Sequence, residues 1–346
     1  MTRAVHQLLA TFAPHDAVSN EARQIRAVLR AAGYESEIYA AGIRPSAHDV
    51  VRPLNALAAG ADDVLICHYS IWSEAVDRAV AGPGRLVVRY HNVTPAHWLE
   101  GVNEVVAALC RSARARLGEL APRAALALAD STFNRLDLDD AGFRRSEVLP
   151  ILLPPAAPLP PTAPSAAPLV VSVGRLVPNK RIDELLRTFA CYRRTCAPDA
   201  GLAIVGAADG FEAYALACRR LADQLGIADP FAGRLDDAAR DALLARAAAY
   251  LVCSEHEGFC VPLVEAMRAG LPIVARDFGA VAETLGGAGI AAPPEAGPAE
   301  LAELLDLAVT DEGLRAAMAA GRGERLAALD PTVVGGRLLG LLGGVA

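Results

Sequence analysis

The chain has 346 residues, more than one hydrophobic core usually serves, so two domains of about 150 to 180 residues each are expected. A net charge of −7 with no long basic run excludes a nucleic-acid binder, because a phosphate backbone needs a basic face. Hydrophobic residues make up 53% but aromatic ones only 5%, so Ala, Leu and Val fill the core, a mix suited to helices layered on a parallel sheet.

Residues 4–12 read as a first strand, and Ser19 as the cap of a helix that places Ala22, Ile25, Val28 and Leu29 on one face and stops at Gly33. Strand-like runs follow at 37–40, 64–67, 86–90 and 125–129, with helical patterns near 72–81, 101–117 and 132–141 between them. This alternation predicts a doubly wound parallel sheet whose ligand crevice lies at the carboxyl ends of its strands. The loops to watch are therefore 13–19, 68–72, 91–98 and 130–131. Two of them hold strand-end histidines, His68 and His91, and His91 is followed by Asn92. Asp16 opens the first loop's helix, where it can serve as a cap or orient an acceptor hydroxyl.

Between Pro150 and Pro168 the chain places eight of its 23 prolines. Proline fixes an extended backbone and removes donors, so 151–168 reads as a semi-rigid linker between a domain at 1–150 and one at 169–330, with 331–346 as a tail or last helix. The second alternation runs through a strand at 169–174, a helix from about Arg181, a strand at 202–205, helices near 211–225 and 236–247, and strands at 249–253 and 272–276.

The strand at 249–253 leads into Ser254-Glu255-His256-Glu257-Gly258-Phe259-Cys260-Val261-Pro262-Leu263-Val264-Glu265-Ala266-Met267, with Pro262 in the first turn of a helix. Strand, tight loop and helix aim backbone N–H groups and the positive end of a helix dipole at an anion. Glu257 and Glu265 flank that position, and carboxylates beside an anion are suited to accept from hydroxyl groups. An anion flanked by hydroxyls is what a nucleoside-diphosphate sugar presents. Gly174-Arg175-Leu176-Val177-Pro178-Asn179-Lys180 likewise follows a strand and opens a helix, offering the fork of Arg175 and the point charge of Lys180, the only lysine in the chain, to a diphosphate.

Residues 257–267 and 269–275 resemble the retaining GT-B glycosyltransferases of family 4, in the glycosyl transferases group 1, whose pattern is E-G-F-G-x-P-x-x-E-A-M followed by A-x-G-x-P-V-I-A. Cys260 stands where glycine is usual. The resemblance implies two Rossmann-like domains facing a deep inter-domain cleft, the first binding acceptor and the second nucleotide sugar, with the last helix crossing back to the first. It implies transfer of a hexosyl unit from a GDP- or UDP-sugar, with retention, to a glycan or other hydroxyl acceptor, without cofactor or metal, as in bacterial polysaccharide biosynthesis. Carried onto this chain, Arg175 and Lys180 with the backbone of Phe259, Cys260 and Val261 would hold the diphosphate. Glu257 and Gly258 would hold the sugar, Glu265 the ribose, and Arg234 and Leu235 the base. His91 would meet the reacting sugar, with Asp16, His68 and Asn92 on the acceptor side. The loop at 14–20 lacks the Gly-Gly of many relatives. A nucleotide-sugar epimerase of the same fold, or a non-catalytic nucleotide-sugar-binding subunit, would share the donor residues.

Asp137-Leu138-Asp139 has the D-x-D form of a metal site, but a helical pattern there splays the two carboxylates onto a solvated face. Seven scattered cysteines lack zinc spacing and read as reduced core residues of a cytoplasmic protein. No leader-like segment and no apolar run of membrane-span length is expected, although contact with a membrane surface stays open.

Overall fold

The computed structural model describes residues 4–13, 16–156 and 167–345, so Pro14, His15 and the centre of the proline-rich linker, 157–166, lie outside the described residues. The chain divides into two compact units, one of Met1–Ala96, Val105–Pro155 and Ala328–Ala346, the other of His97–Glu104 and Ala156–Ala327.

In the first unit the strands are β1 (Val5–Phe12), β2 (Ile38–Ile43), β3 (Arg52–Pro53), β4 (Val64–Tyr69), β5 (Arg85–Tyr90), β6 (Ala124–Ala129) and β7 (Ser146–Val148). They form one parallel sheet in the order β3-β2-β1-β4-β5-β6-β7, interleaved with α1 (Ala17–Ala31), α2 (Glu74–Ala81), α3 (Glu104–Arg116) and α4 (Thr132–Asp140). The order reverses between β1 and β4, which opens a crevice at their carboxyl ends. Every residue of β4 is buried, as a strand covered on both faces requires. On one face Ile25 and Leu29 of α1 pack with Val5, Val64, Ile66, Val87 and Leu126; fully burying such a side chain contributes about 1.5–3 kcal/mol.

The α1 cap is Asp16, not Ser19: Asp16 accepts from the Ser19 N–H and hydroxyl at 2.9 Å each, while Ser19 is buried in the first turn and its hydroxyl accepts from Ala13 N. Asp16 starts the helix because it is the last residue with extended backbone, which aims its carboxylate at the amide three residues on. At the other end Gly33 has φ +87°, and Tyr34 N bonds back to Leu29 O, closing the helix as expected.

The second unit contains β8 (Leu169–Val173), β9 (Gly201–Val205), β10 (Phe231–Gly233), β11 (Ala249–Val252), β12 (Ile273–Arg276) and β13 (Ile290–Ala292), parallel in the order β10-β9-β8-β11-β12-β13. Its helices are α5 (Ile182–Thr195), α6 (Glu212–Gln224), α7 (Asp237–Arg246), α8 (Val261–Arg268), α9 (Val281–Leu285), α10 (Pro298–Thr310) and α11 (Glu312–Ala328). The order reverses between the central neighbours β8 and β11.

The last helix, α12 (Pro331–Gly343), is capped by Asp330 and belongs to the first unit. Val334, Leu338 and Leu342 bury one stripe against Val5, Ile25 and Leu29, and Gly335 lets the helix backbone approach Val28. Together α11 and α12 reach membrane-span length, with a mean hydropathy of 1.3 in the most apolar window, where the sequence promised no such run. They are nonetheless separate helices, interrupted at Leu329 and Asp330, and each is shorter than the roughly 20 residues that cross a bilayer.

Candidate functional site

In the second unit two loops meet where the sheet order reverses. The loop after β8 ends in Lys180, and the loop after β11 holds Glu257; Lys180 Nζ donates to Glu257 Oε1 at 2.6 Å. The loops are laced together by Glu255 N to Asn179 O at 2.9 Å and by the Asn179 side-chain amide to His256 O at 3.3 Å. Beneath them Tyr250, fully buried on β11, accepts from Val173 N at 2.9 Å and donates to Val173 O at 3.2 Å, fixing the end of β8. Burial works to lower the Lys180 ammonium, but the Glu257 carboxylate outweighs burial and holds it above its ordinary value. Lysine stays charged in this recess, which Ser172, Gly174, Ser254 and Cys260 also line.

Two glycines make this approach sterically feasible. A Cβ on Gly206 would lie 1.8 Å from Gly174 O, and one on Gly279, whose φ is +66°, would lie 2.3 Å from Glu257 O. Cys260, in the glycine position of the pattern, takes φ 66° and caps α8 from the left-handed region. Its thiol is buried, and burial first, then Glu257, pushes it well above the usual range, so it stays a neutral thiol. Pro262 has no N–H and Leu263 N is turned to Cys260 O, which narrows the amides this helix mouth can offer to a ligand. Phe259 is buried, its carbonyl taken by the Thr284 hydroxyl at 2.5 Å.

Not every predicted donor residue joins this recess. Arg175 is exposed, its guanidinium 5.7 Å from the Phe211 ring. Glu265 pairs with Arg240 of α7 at 3.1 Å, a partner the sequence did not suggest, and burial raises it above its ordinary carboxyl value despite Arg240. Arg234 is an exposed side chain paired with Asp209, next to half-buried Leu235, while Asp236 is the cap of α7. Behind Lys180 and Glu257, a network missed in the sequence joins Arg181, Glu255, Arg276 and Glu184, with Arg276 to Glu255 at 3.0 Å and to Glu184 at 3.4 Å. A larger cavity of about 380 Å³, lined by Gly270, Pro272, Arg315 and Arg322, lies at the amino end of β12, opposite these loops.

In the first unit the strand-end residues form a buried cluster. His91 lies beyond β5 and His68 at the end of β4, with His68 Nδ1 and His91 Nε2 at 2.8 Å. His91 Nδ1 is 3.2 Å from Asp130 Oδ2, and His68 Nε2 is 3.0 Å from Gln7 Oε1. Arg89, fully buried, pairs with Glu21 at 2.6 Å and with Asp130 at 2.8 Å. The Arg89–Asp130 contact is an ion pair without hydrogen-bond alignment, which leaves Asp130 Oδ1 with no hydrogen bond. Burial, then His91 and Arg89, push His68 well below the ordinary histidine value. The structure therefore engages both nitrogens of each ring with protein partners, a constraint that strand-end placement alone did not reveal. Ligand atoms of Glu21, His68 and His91 come within 4.8 Å of one another, close enough for a metal ion. Arg89 already neutralises Glu21, however, and a divalent ion there would face a fully buried guanidinium.

Asn92 has φ 70° and donates to Asn134 at 2.6 Å, so its side chain faces α4. Asp137 and Asp139 splay as α4 requires: Asp139 is exposed, as a solvated face predicts, and accepts from Ser146, whereas Asp137 is half-buried and accepts from Tyr90 and Arg114. The helix turns each carboxylate toward a different neighbouring strand or helix. The seven cysteines are free thiols, five of them buried.

Two parallel-sheet α/β units of this kind make up the GT-B glycosyltransferase fold. Residues 160–322 match the family glycosyl transferases group 1. Sucrose-phosphate synthase from Thermosynechococcus elongatus superposes with a TM-score of 0.76 at 16% identity, covering 99% of this chain and 100% of that one. HepE from Anabaena, solved in complex with UDP-glucose, gives 0.76 at 19%, covering 98% and 99%. A glycosyltransferase from Rickettsia africae gives 0.74 at 13%, covering 99% and 98%. No curated protein matches the chain at the level of sequence.

Proposed function

We propose that the chain is a retaining, metal-independent glycosyltransferase that moves a hexosyl unit from a nucleoside-diphosphate sugar to a hydroxyl acceptor. The observation that supports this most is the Lys180–Glu257 contact, made across 77 residues of sequence at the reversal point of the second sheet. An anion entering there meets an ammonium held charged, and the carboxylate that it displaces from Lys180 is freed to accept from sugar hydroxyls. Departure of the diphosphate is the demanding event. Lys180 and the backbone at Phe259–Val261 supply preorganised positive potential for it, Arg175 would join them only by swinging in from its exposed place against Phe211, and Glu257 supports the positive charge that develops on the sugar. Glu265, held by Arg240, is assigned to the ribose. A UDP-sugar is favoured over a GDP-sugar because the similar HepE structure contains UDP-glucose.

The test is a thermal-shift screen with UDP- and GDP-sugars, followed by product analysis with the stabilising donor. Ligand at 100 times its Kd should contribute about 2.7 kcal/mol to stability. NMR of the product should show sugar transferred with the donor's anomeric configuration. Interconversion of the donor sugar without transfer would make the chain an epimerase, and tight binding with neither transfer nor slow hydrolysis would make it a binding subunit.

A further inference from the structure

The buried cluster at the carboxyl end of the first sheet has a proton count that its hydrogen bonds determine. Gln7 Nε2 donates to Ala22 O at 2.9 Å, which orients the amide so that Gln7 Oε1 faces His68 Nε2 at 3.0 Å. An amide oxygen only accepts, so His68 Nε2 bears a hydrogen. At the other end His91 Nδ1 faces Asp130 Oδ2, whose carboxylate is ionised beside Arg89, so His91 Nδ1 bears a hydrogen as well. Between the rings His68 Nδ1 and His91 Nε2 lie 2.8 Å apart with ring planes 7° from parallel. Two lone pairs cannot face each other at that distance, so one of these nitrogens also bears a hydrogen. Three ring hydrogens on two imidazoles leave one positive charge.

A count of charges, which shares with the first only the ionised Asp130, gives the same answer. Glu21 acts purely as an acceptor, from Arg89 and from Leu152 N at 3.0 Å, and is therefore a carboxylate. Glu21 and Asp130 contribute two negative charges and Arg89 one positive, all at side-chain exposures of 2% or less. Among the charged groups that α1, β4, β5 and the end of β6 turn inward here, the cluster balances only if the histidine pair supplies the second positive charge. An unbalanced charge at that depth would cost several kcal/mol.

We infer that His68 and His91 share one proton, that it rests on His91 as an imidazolium, and that His68, Asp130 and Glu21 are positioning residues that keep it there. Glu21 Oε2 stands 3.7 Å from His91 Nε2, on the side of the charged ring, while His68 is flanked by the neutral Gln7 amide. This deepens the proposed function: with a hydrogen on each ring nitrogen and both nitrogens engaged by His68 and Asp130, His91 has no lone pair to offer and takes no proton from an acceptor.

The experiment is ring-nitrogen NMR on the full chain labelled with 15N-histidine, at pH 8.0, with the seven histidines assigned by His68→Gln and His91→Gln spectra. An ordinary histidine is then roughly 3% protonated, so an imidazolium is unmistakable. His91 should show both ring nitrogens protonated, and His68 only Nε2. In Asp130→Asn the amide can donate to His91 Nδ1 and one carboxylate is lost, so the imidazolium fraction at pH 8.0 should fall about tenfold or more. Two neutral rings in the folded parent chain at pH 8.0 would overturn the inference, and so would an Asp130→Asn variant that folds and keeps the imidazolium. Neither readout depends on sugar transfer, so failure here and failure of the proposed function are separable.

Discussion

Lys180→Ala removes the ammonium and leaves Glu257 without its partner. The Glu257 side chain is 6% exposed and that of Lys180 23%, so water reaches the lysine end but hardly the carboxylate. A charge-assisted hydrogen bond contributes about 1.5–3 kcal/mol, and partial access of water places this one near ~2 kcal/mol. For a unit of this size that corresponds to a fall of about 4–8 °C in melting temperature. Lys180→Ala combined with Glu257→Gln should recover more than half of the fall, because the stranded charge is gone; the cycle separates the pair from the fold. Transfer activity should fall by about 10²–10³-fold, the usual effect of deleting one preorganised donor to a developing anion. Lys180→Arg should restore only part of it, since a broad fork replaces a point charge poorly. The assays are differential scanning fluorimetry, kcat/KM for transfer and titration with UDP and GDP. If Lys180→Ala left kcat/KM within about threefold and nucleotide affinity unchanged, with stability lowered as above, the pair would be structural and the donor would bind elsewhere.

Steady-state kinetics should distinguish the two glutamates: Glu257→Gln should lower kcat more than it raises KM, whereas Glu265→Gln, on a part of the donor that does not react, should mainly raise KM. The reverse order would place the donor in the opposite sense along α8. Activity should survive exhaustive chelation, and loss on chelation with recovery on adding Mg2+ or Mn2+ would refute the metal-independent mechanism. Gly279→Ala forces a Cβ to within 2.3 Å of Glu257 O at a positive φ, so melting temperature and kcat should fall together; an unchanged kcat would show that the Glu257 loop tolerates displacement.

What the sequence determined by itself is what local pattern encodes. Unbroken apolar runs such as Val64–Cys67 announce strands buried on both faces, and Gly33 ends α1 because its φ of +87° suits glycine. The two candidate loops were legible because strand, loop and helix lie within about a dozen residues of each other at Gly174–Lys180 and Glu257–Glu265. Edge strands β3, β7, β10 and β13 were not, being two or three residues long and showing no period to read. The cap at Asp16 rather than Ser19 turned on which residue keeps extended backbone, and both types cap well. Tertiary structure alone decided the pairings between distant segments: Lys180 with Glu257, Glu265 with Arg240, and the closed set of Gln7, Glu21, His68, Arg89, His91 and Asp130. Each polar member of that set is buried, and a buried polar group must find its complement. The complement is chosen by which strands lie side by side, a relation that no stretch of neighbouring residues contains.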